Sequence, residues 1–132
     1  MVKLGYTILY VNDVVKSVDF YVASFGFKRK FISSENDYAE LETGNTTLDF
    51  AAKQLGNANL KNGFLESDVM NIPFGIEIAL TTDDVKETME SSIKNGAVLV
   101  EEPVIKPWGQ RVAYIRDIDG FLIEICTPIQ AD

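Results

Sequence analysis

The chain has 132 residues, 46% hydrophobic and 24% charged, enough for one domain with a real core or one domain of two fused halves. Its formal net charge of −8 argues against nucleic-acid and anionic-membrane partners, which want basic patches, while permitting a cationic ligand. A single cysteine, Cys126, excludes an intrachain disulfide, and no apolar run approaches the roughly 20 residues that span a bilayer.

No basic stretch leads into a long apolar one at the N-terminus, so the expectation is a soluble cytoplasmic protein. Residues 4–11 are β-branched and aromatic and predict a strand. Asn12 or Asp13 offers a helix N-cap, and Val15, Val18, Val22 and Phe25 follow at helical spacing as its apolar stripe. Gly26 ends that helix. Strands are predicted from Phe27 to Ser33, Tyr38 to Glu42 and Thr46 to Ala52, with a hairpin turn at Gly44-Asn45. Residues 53–72 lack periodicity and read as a linker or lid with at most a short helical turn.

The order then repeats. A strand is predicted from Pro73 to Leu80, and Asp84 caps a helix whose stripe is Val85, Met89 and Ile93 and which Gly96 closes. Ala97 to Glu101 is the next strand, Pro103 to Pro107 a turn, and Arg111 to Arg116 and Phe121 to Cys126 form a hairpin around Asp117-Ile118-Asp119-Gly120. The expected organisation is therefore one α+β domain over residues 1–132. It has a βαβββ module at 1–52, the linker or lid at 53–72, and a second βαβββ module at 73–132.

Three stretches resemble a known family. They are Val11-Asn12-Asp13 with Ser17-Val18-Asp19-Phe20-Tyr21 and Phe25-Gly26-Phe27, then Pro107-Trp108-Gly109-Gln110-Arg111, then Arg116-Asp117-Ile118-Asp119-Gly120-Phe121-Leu122-Ile123-Glu124-Ile125. Together they are similar to the glyoxalase/bleomycin-resistance/extradiol-dioxygenase, or vicinal oxygen chelate, superfamily. The resemblance implies paired βαβββ modules forming curved mixed sheets around a cleft, and commonly a homodimer. Family enzymes hold a divalent metal with residues of the first, fourth, fifth and eighth strands, usually two histidines and one or two glutamates.

This sequence contains no histidine. Strand alternation carries the family positions onto Tyr6, Asp49, Glu77 and Glu124. Glu77 and Glu124 are expected to converge on one hollow from opposite modules, where a close pair would raise one carboxyl pKa. Both histidine positions are lost, so the expectation is no metal and no cofactor. The alternative is a hard cation such as magnesium or manganese held by carboxylates alone. Trp108 and Tyr114 either stack on a planar or cationic ligand or pack at their turn, and Arg111 either meets an anionic group or pairs with a carboxylate.

The resemblance implies three functions. The first is a metal-free binding protein, similar to bleomycin-resistance proteins, that sequesters a cationic or aromatic compound through Tyr6, Asp49, Glu77, Trp108, Arg111, Tyr114 and Glu124. The second is a lactoylglutathione-lyase-type enzyme, with Glu77 and Glu124 as catalytic residues. The third is a non-catalytic interaction subunit.

Overall fold

The computed structural model describes residues 1–129, which fall into two compact units, Met1–Glu66 and a second beginning at Ser67. The first unit runs β1 (Thr7–Val11), α1 (Val14–Phe25), β2 (Lys28–Ile32), β3 (Tyr38–Glu42), β4 (Thr47–Ala52) and α2 (Lys53–Asn59). The second runs β5 (Glu77–Thr81), α3 (Val85–Lys94), β6 (Val98–Ile105), β7 (Arg111–Arg116) and β8 (Leu122–Cys126). Each unit holds one four-stranded mixed sheet, ordered β1-β4-β3-β2 and β5-β8-β7-β6. The predicted α+β repeat of βαβββ is therefore present, with α2 added in the segment read as a linker.

The same local logic builds both units. Asp13 accepts a hydrogen bond from the Lys16 amide and starts α1, and Gly26, in the left-handed region at φ 74°, ends it. Asp84 caps α3 through the Glu87 amide. The buried face of α1 carries Val14, Val18, Phe20 and Tyr21, not the predicted stripe, of which only Val18 is buried. The helix begins one residue before Val15. The ring of Tyr21 lies 5.0 Å from Phe50, turning α1 so that Val15, Val22 and Phe25 sit at the edge of the contact. In α3 Ile93 is exposed, and the small Ser92, donating to the Met89 carbonyl, occupies the buried position instead. β6 continues through Pro103 to Ile105, where a turn was expected. Irregular register against β7 on both sides of Glu101 accommodates the proline at the sheet edge.

Alternation sorts each sheet into two faces. Leu48 and Phe50 pack with α1, while Asp49 and Ala51 point to the opposite face. In the second unit Ile115, Ile123 and Ile125 are fully buried, and Tyr114 and Glu124 lie on the other face. In β5 the alternation is weaker but in phase, with Ile78 and Leu80 half-buried and Glu77, Ala79 and Thr81 exposed.

The second unit also fixes an irregular segment without a sheet. The buried Arg116 guanidinium donates to the carbonyls of Asp68, Val69, Asn71 and Gly120. The chain approaches Gly120 closely. A Cβ there would lie 2.6 Å from the Asp68 carbonyl carbon, and φ is +90°. Gly120→Ala is therefore expected to destabilise the protein by more than about 1 kcal/mol, from strain plus displacement of the 68–69 backbone. Denaturant midpoints check this, as does faster amide exchange in residues 68–71.

Candidate functional site

The structure distributes the predicted site residues over three places. Tyr6 and Asp49 belong to the first unit; Tyr6 precedes β1 and is well exposed, while Asp49 is 1% exposed at the centre of β4. Glu77, Tyr114 and Glu124 share one face of the second unit's sheet. Trp108 and Arg111 line a depression of about 500 Å³ at the β6–β7 turn, with Asp83, Ile105, Gln110 and Thr127.

Glu77 and Glu124 do not come from opposite modules. They stand on the neighbouring parallel strands β5 and β8, where Ala79 pairs with Glu124 and Glu77 lies two residues earlier on the same face. That placement follows from the fold, because the fifth and eighth strands belong to one sheet. Partial burial and then the charge of Glu124 hold the Glu77 carboxyl above the usual range. Tyr114, paired with Glu124 across β7 and β8, donates its hydroxyl to Glu124 Oε1 at 2.8 Å. This bond, reinforced by burial, pushes the Tyr114 hydroxyl up to about 12. Cys126, on the same face, is buried, and burial with the nearby Glu124 pushes its thiol up to about 11, leaving it protonated and unreactive near neutrality.

The first unit repeats the tyrosine–carboxylate arrangement. The Tyr38 hydroxyl donates to Asp49 Oδ2, and Glu40, directly opposite Asp49 in the β3–β4 ladder, is held by Lys30 at 2.7 Å. Burial and then the bond to Asp49 raise Tyr38. The Lys30 ammonium keeps the Glu40 carboxyl below its ordinary range. Burial pushes the Asp49 carboxyl up, with the Tyr38 hydroxyl pulling against it and Glu40 adding to the rise. Sequence reasoning missed Glu40 and Lys30 and placed Tyr38 only as the first residue of a strand. The signal was present, since a hairpin turning at 43–46 places residue 40 opposite 49 and 38 opposite 51.

At the β6–β7 turn the Trp108 indole donates to Gln110 Oε1 at 2.8 Å, and Gln110 donates to the Thr127 carbonyl at 2.7 Å. The ring is thereby fixed edge-on while 66% of the residue stays exposed. Neither Arg111 nor Arg116 pairs with Glu77 or Glu124 among the ion pairs of the described residues. Arg116 spends its donors on backbone carbonyls.

A family profile described as Glyoxalase-like domain matches residues 4–130. The chain belongs to the glyoxalase-like family. An uncharacterized protein, YraH, of Bacillus subtilis is 30% identical over 118 residues, 89% of this chain and 91% of that one. A lactoylglutathione lyase of Arabidopsis thaliana is 28% identical over 120 residues, and the matched part is 87% of this chain but 40% of the plant protein. The crystal structure of a glyoxalase-related enzyme from Fulvimarina pelagi superposes with a TM-score of 0.80 at 22% identity, covering 100% of this chain and 95% of that one. These likenesses place the fold in the glyoxalase/bleomycin resistance/dioxygenase superfamily.

The transition metal that the glyoxalase-like family implies does not fit this donor set. There is no imidazole, Asp49 and Glu124 each accept a tyrosine hydroxyl, and Asp49 is sealed from solvent. Among the described residues no group of three or more His, Cys, Asp or Glu side chains is arranged to hold a metal ion. The described residues also contain no helix long and apolar enough to cross a membrane.

Glu124→Gln is expected to move the Glu77 carboxyl down toward the ordinary glutamate range without reaching it, because burial is the larger cause. A raised carboxyl contributes stability that is present below its unfolded pKa and lost as pH rises through the folded one. Glu77→Gln should therefore flatten that decline, which begins near about pH 4. Carboxyl NMR titration checks the first statement and denaturation across pH the second.

Proposed function

We propose that this glyoxalase-like protein binds a small cationic or aromatic compound without a metal, and that it does so as a homodimer. The observation that carries the reading is the donor set of the second unit. Two acidic side chains, Glu77 and Glu124, share a sheet face with no cationic partner among the described ion pairs. A hydrogen-bonded tyrosine lies beside them. A carboxylate pair of this kind favours a positive group, which relieves the repulsion between them. The exposed, edge-anchored Trp108 offers a flat π-face of the sort that stacks on aromatic or cationic groups. The net charge of −8 adds a long-range bias toward cations.

A second reading is supported by the relative named lactoylglutathione lyase and by Glu124 at the family's final glutamate position. In that reading Glu77 and Glu124 exchange a proton with the substrate, and a hard cation supplies the electrophile. Lactoylglutathione formation, assayed with and without added magnesium or manganese, separates the two. An inactive protein whose Glu77→Gln variant behaves identically would end the lyase reading.

Trp108 is the only tryptophan, so its fluorescence reports one position. Across a panel of planar cationic compounds we expect saturable quenching and a calorimetric signal that survive a chelator. Glu124→Gln should weaken binding about tenfold, equivalent to about 1.4 kcal/mol. No saturable binding across the panel would overturn the proposal, and sedimentation velocity tests the homodimer.

A further inference from the structure

Residues 53–66 are the part of the first unit that the binding role of Glu77 and Glu124 leaves unused. The helix at their start is weak by its own composition. The seven residues of α2 include a glycine and two asparagines, which favour helix poorly. Its N-cap is Ala52, which offers no side-chain hydrogen bond, and the one residue it buries is Gly56. A short helix of this kind draws its order from whatever is laid against it.

Phe64 is laid against it. The Gly63 amide donates to the Leu60 carbonyl in a tight turn, with Gly63 in the left-handed region at φ 75°, and the chain then doubles back. The Phe64 ring comes to lie 4.8 Å from that of Tyr10, tilted by 33°. Only glycine leaves room beside the two rings. A Cβ on residue 56 would stand 2.6 Å from Phe64 Cε1 and 3.0 Å from Tyr10 Cε1. Tyr10 pairs with Ala51 between β1 and β4, on the sheet face that also carries Asp49. Ring-on-ring contact with a half-buried tyrosine is how a planar ligand would bind there, and the chain supplies it from within.

The ends of this segment are fixed and its middle is not. Ala52 donates its amide to the Asp37 carbonyl, and beyond Glu66 the carbonyls of Asp68, Val69 and Asn71 accept from Arg116. Between those ends Gly56 and Phe64 pack on Tyr10, and Lys53 pairs with Glu66 at 3.2 Å. The Glu66 side chain is 55% exposed, so that pair adds little.

We propose that residues 53–66 form a strap that opens as a unit, and that Phe64 is a built-in occupant of a site for a planar aromatic ring on Tyr10. An aromatic compound competes with Phe64 for that face: Phe64 fills it when the strap is down, the compound when it is up. The site lies within the first unit and does not rest on the role of Glu77 and Glu124.

Hydrogen exchange on the full chain tests the opening, and NMR titration with indole as the aromatic probe tests the site. The hydrogen-bonded amides of residues 53–63 should exchange together, at least about tenfold faster than those of β1 and β4. Phe64→Ala should speed them by a further factor of about ten and leave β1, β4 and residues 68–71 unchanged. Gly56→Ala separates a strap from a loss of fold. Alone it pushes the Phe64 ring away and speeds the same amides; combined with Phe64→Ala it slows them, because alanine favours helix over glycine. Indole should shift the Tyr10 ring signals and bind the Phe64→Ala protein about tenfold more tightly than the wild type, a gain that Tyr10→Leu removes. Three results would each overturn the proposal: exchange of 53–63 no faster than β4, one sign for Gly56→Ala in both backgrounds, or equal indole affinity with and without Phe64.

Discussion

A tyrosine hydroxyl donated across a strand pair to a carboxylate recurs once in each unit, Tyr38 to Asp49 and Tyr114 to Glu124, and much of the chemistry follows from it. An acidic side chain in the middle of a sheet strand is costly unless its oxygens are satisfied. The partner on the neighbouring antiparallel strand is the nearest group able to satisfy it. The bond occupies one oxygen of each carboxylate, holds its side chain on the sheet, and keeps the tyrosine protonated far above neutrality, so the pair behaves as a fixed polar surface. Carboxylates arranged in this way are poor material for the open, multi-ligand coordination that a catalytic transition metal requires.

Much of the architecture was legible in the sequence because the signals were local. Asp13 and Asp84 cap helices through the residue three positions on, and Gly26 takes the left-handed conformation that a helix end needs. Tyr38–Glu42 and Arg111–Arg116 run as strands within the predicted limits, bounded by turn residues. What failed was rotation and reach. Val15, Val22, Phe25 and Ile93 were assigned to buried stripes as apolar residues at helical spacing, but the packing of Tyr21 on Phe50 and the smallness of Ser92 decided which faces turned inward. Pro103 was read as the start of a turn, whereas an edge strand tolerates a missing donor.

The candidate site was legible as a set of residues and not as a set of partnerships. Glu77, Glu124 and Asp49 were picked out by alternation, and each does lie on the face away from the buried apolar set. Their neighbours were readable in principle, because a hairpin fixes which residues stand opposite. Counting back from the turn after Arg116 pairs Tyr114 with Glu124, as the turn after Glu42 pairs Glu40 with Asp49. Lys30 was not readable in this way. The register between β2 and β3 shifts between Arg29 and Phe31, so alternation carried across the break misplaces the lysine that balances Glu40.

The loss of histidine thus has different consequences in sheets of the same topology. In the first unit Lys30 pairs with Glu40 at 2.7 Å, and the buried Asp49, opposite Glu40 in the ladder, accepts the Tyr38 hydroxyl. In the second unit Glu77 and Glu124 have a tyrosine beside them and no cationic partner among the described ion pairs, and their mutual repulsion is only partly relieved by exposure to water. A repeat that places equivalent residues on equivalent strands would give both units one affinity if side-chain position alone mattered. The ion pair at Glu40 makes the difference: Lys30 offsets one of the first unit's two opposed carboxylates, and no ion pair among the described residues does so for Glu77 or Glu124.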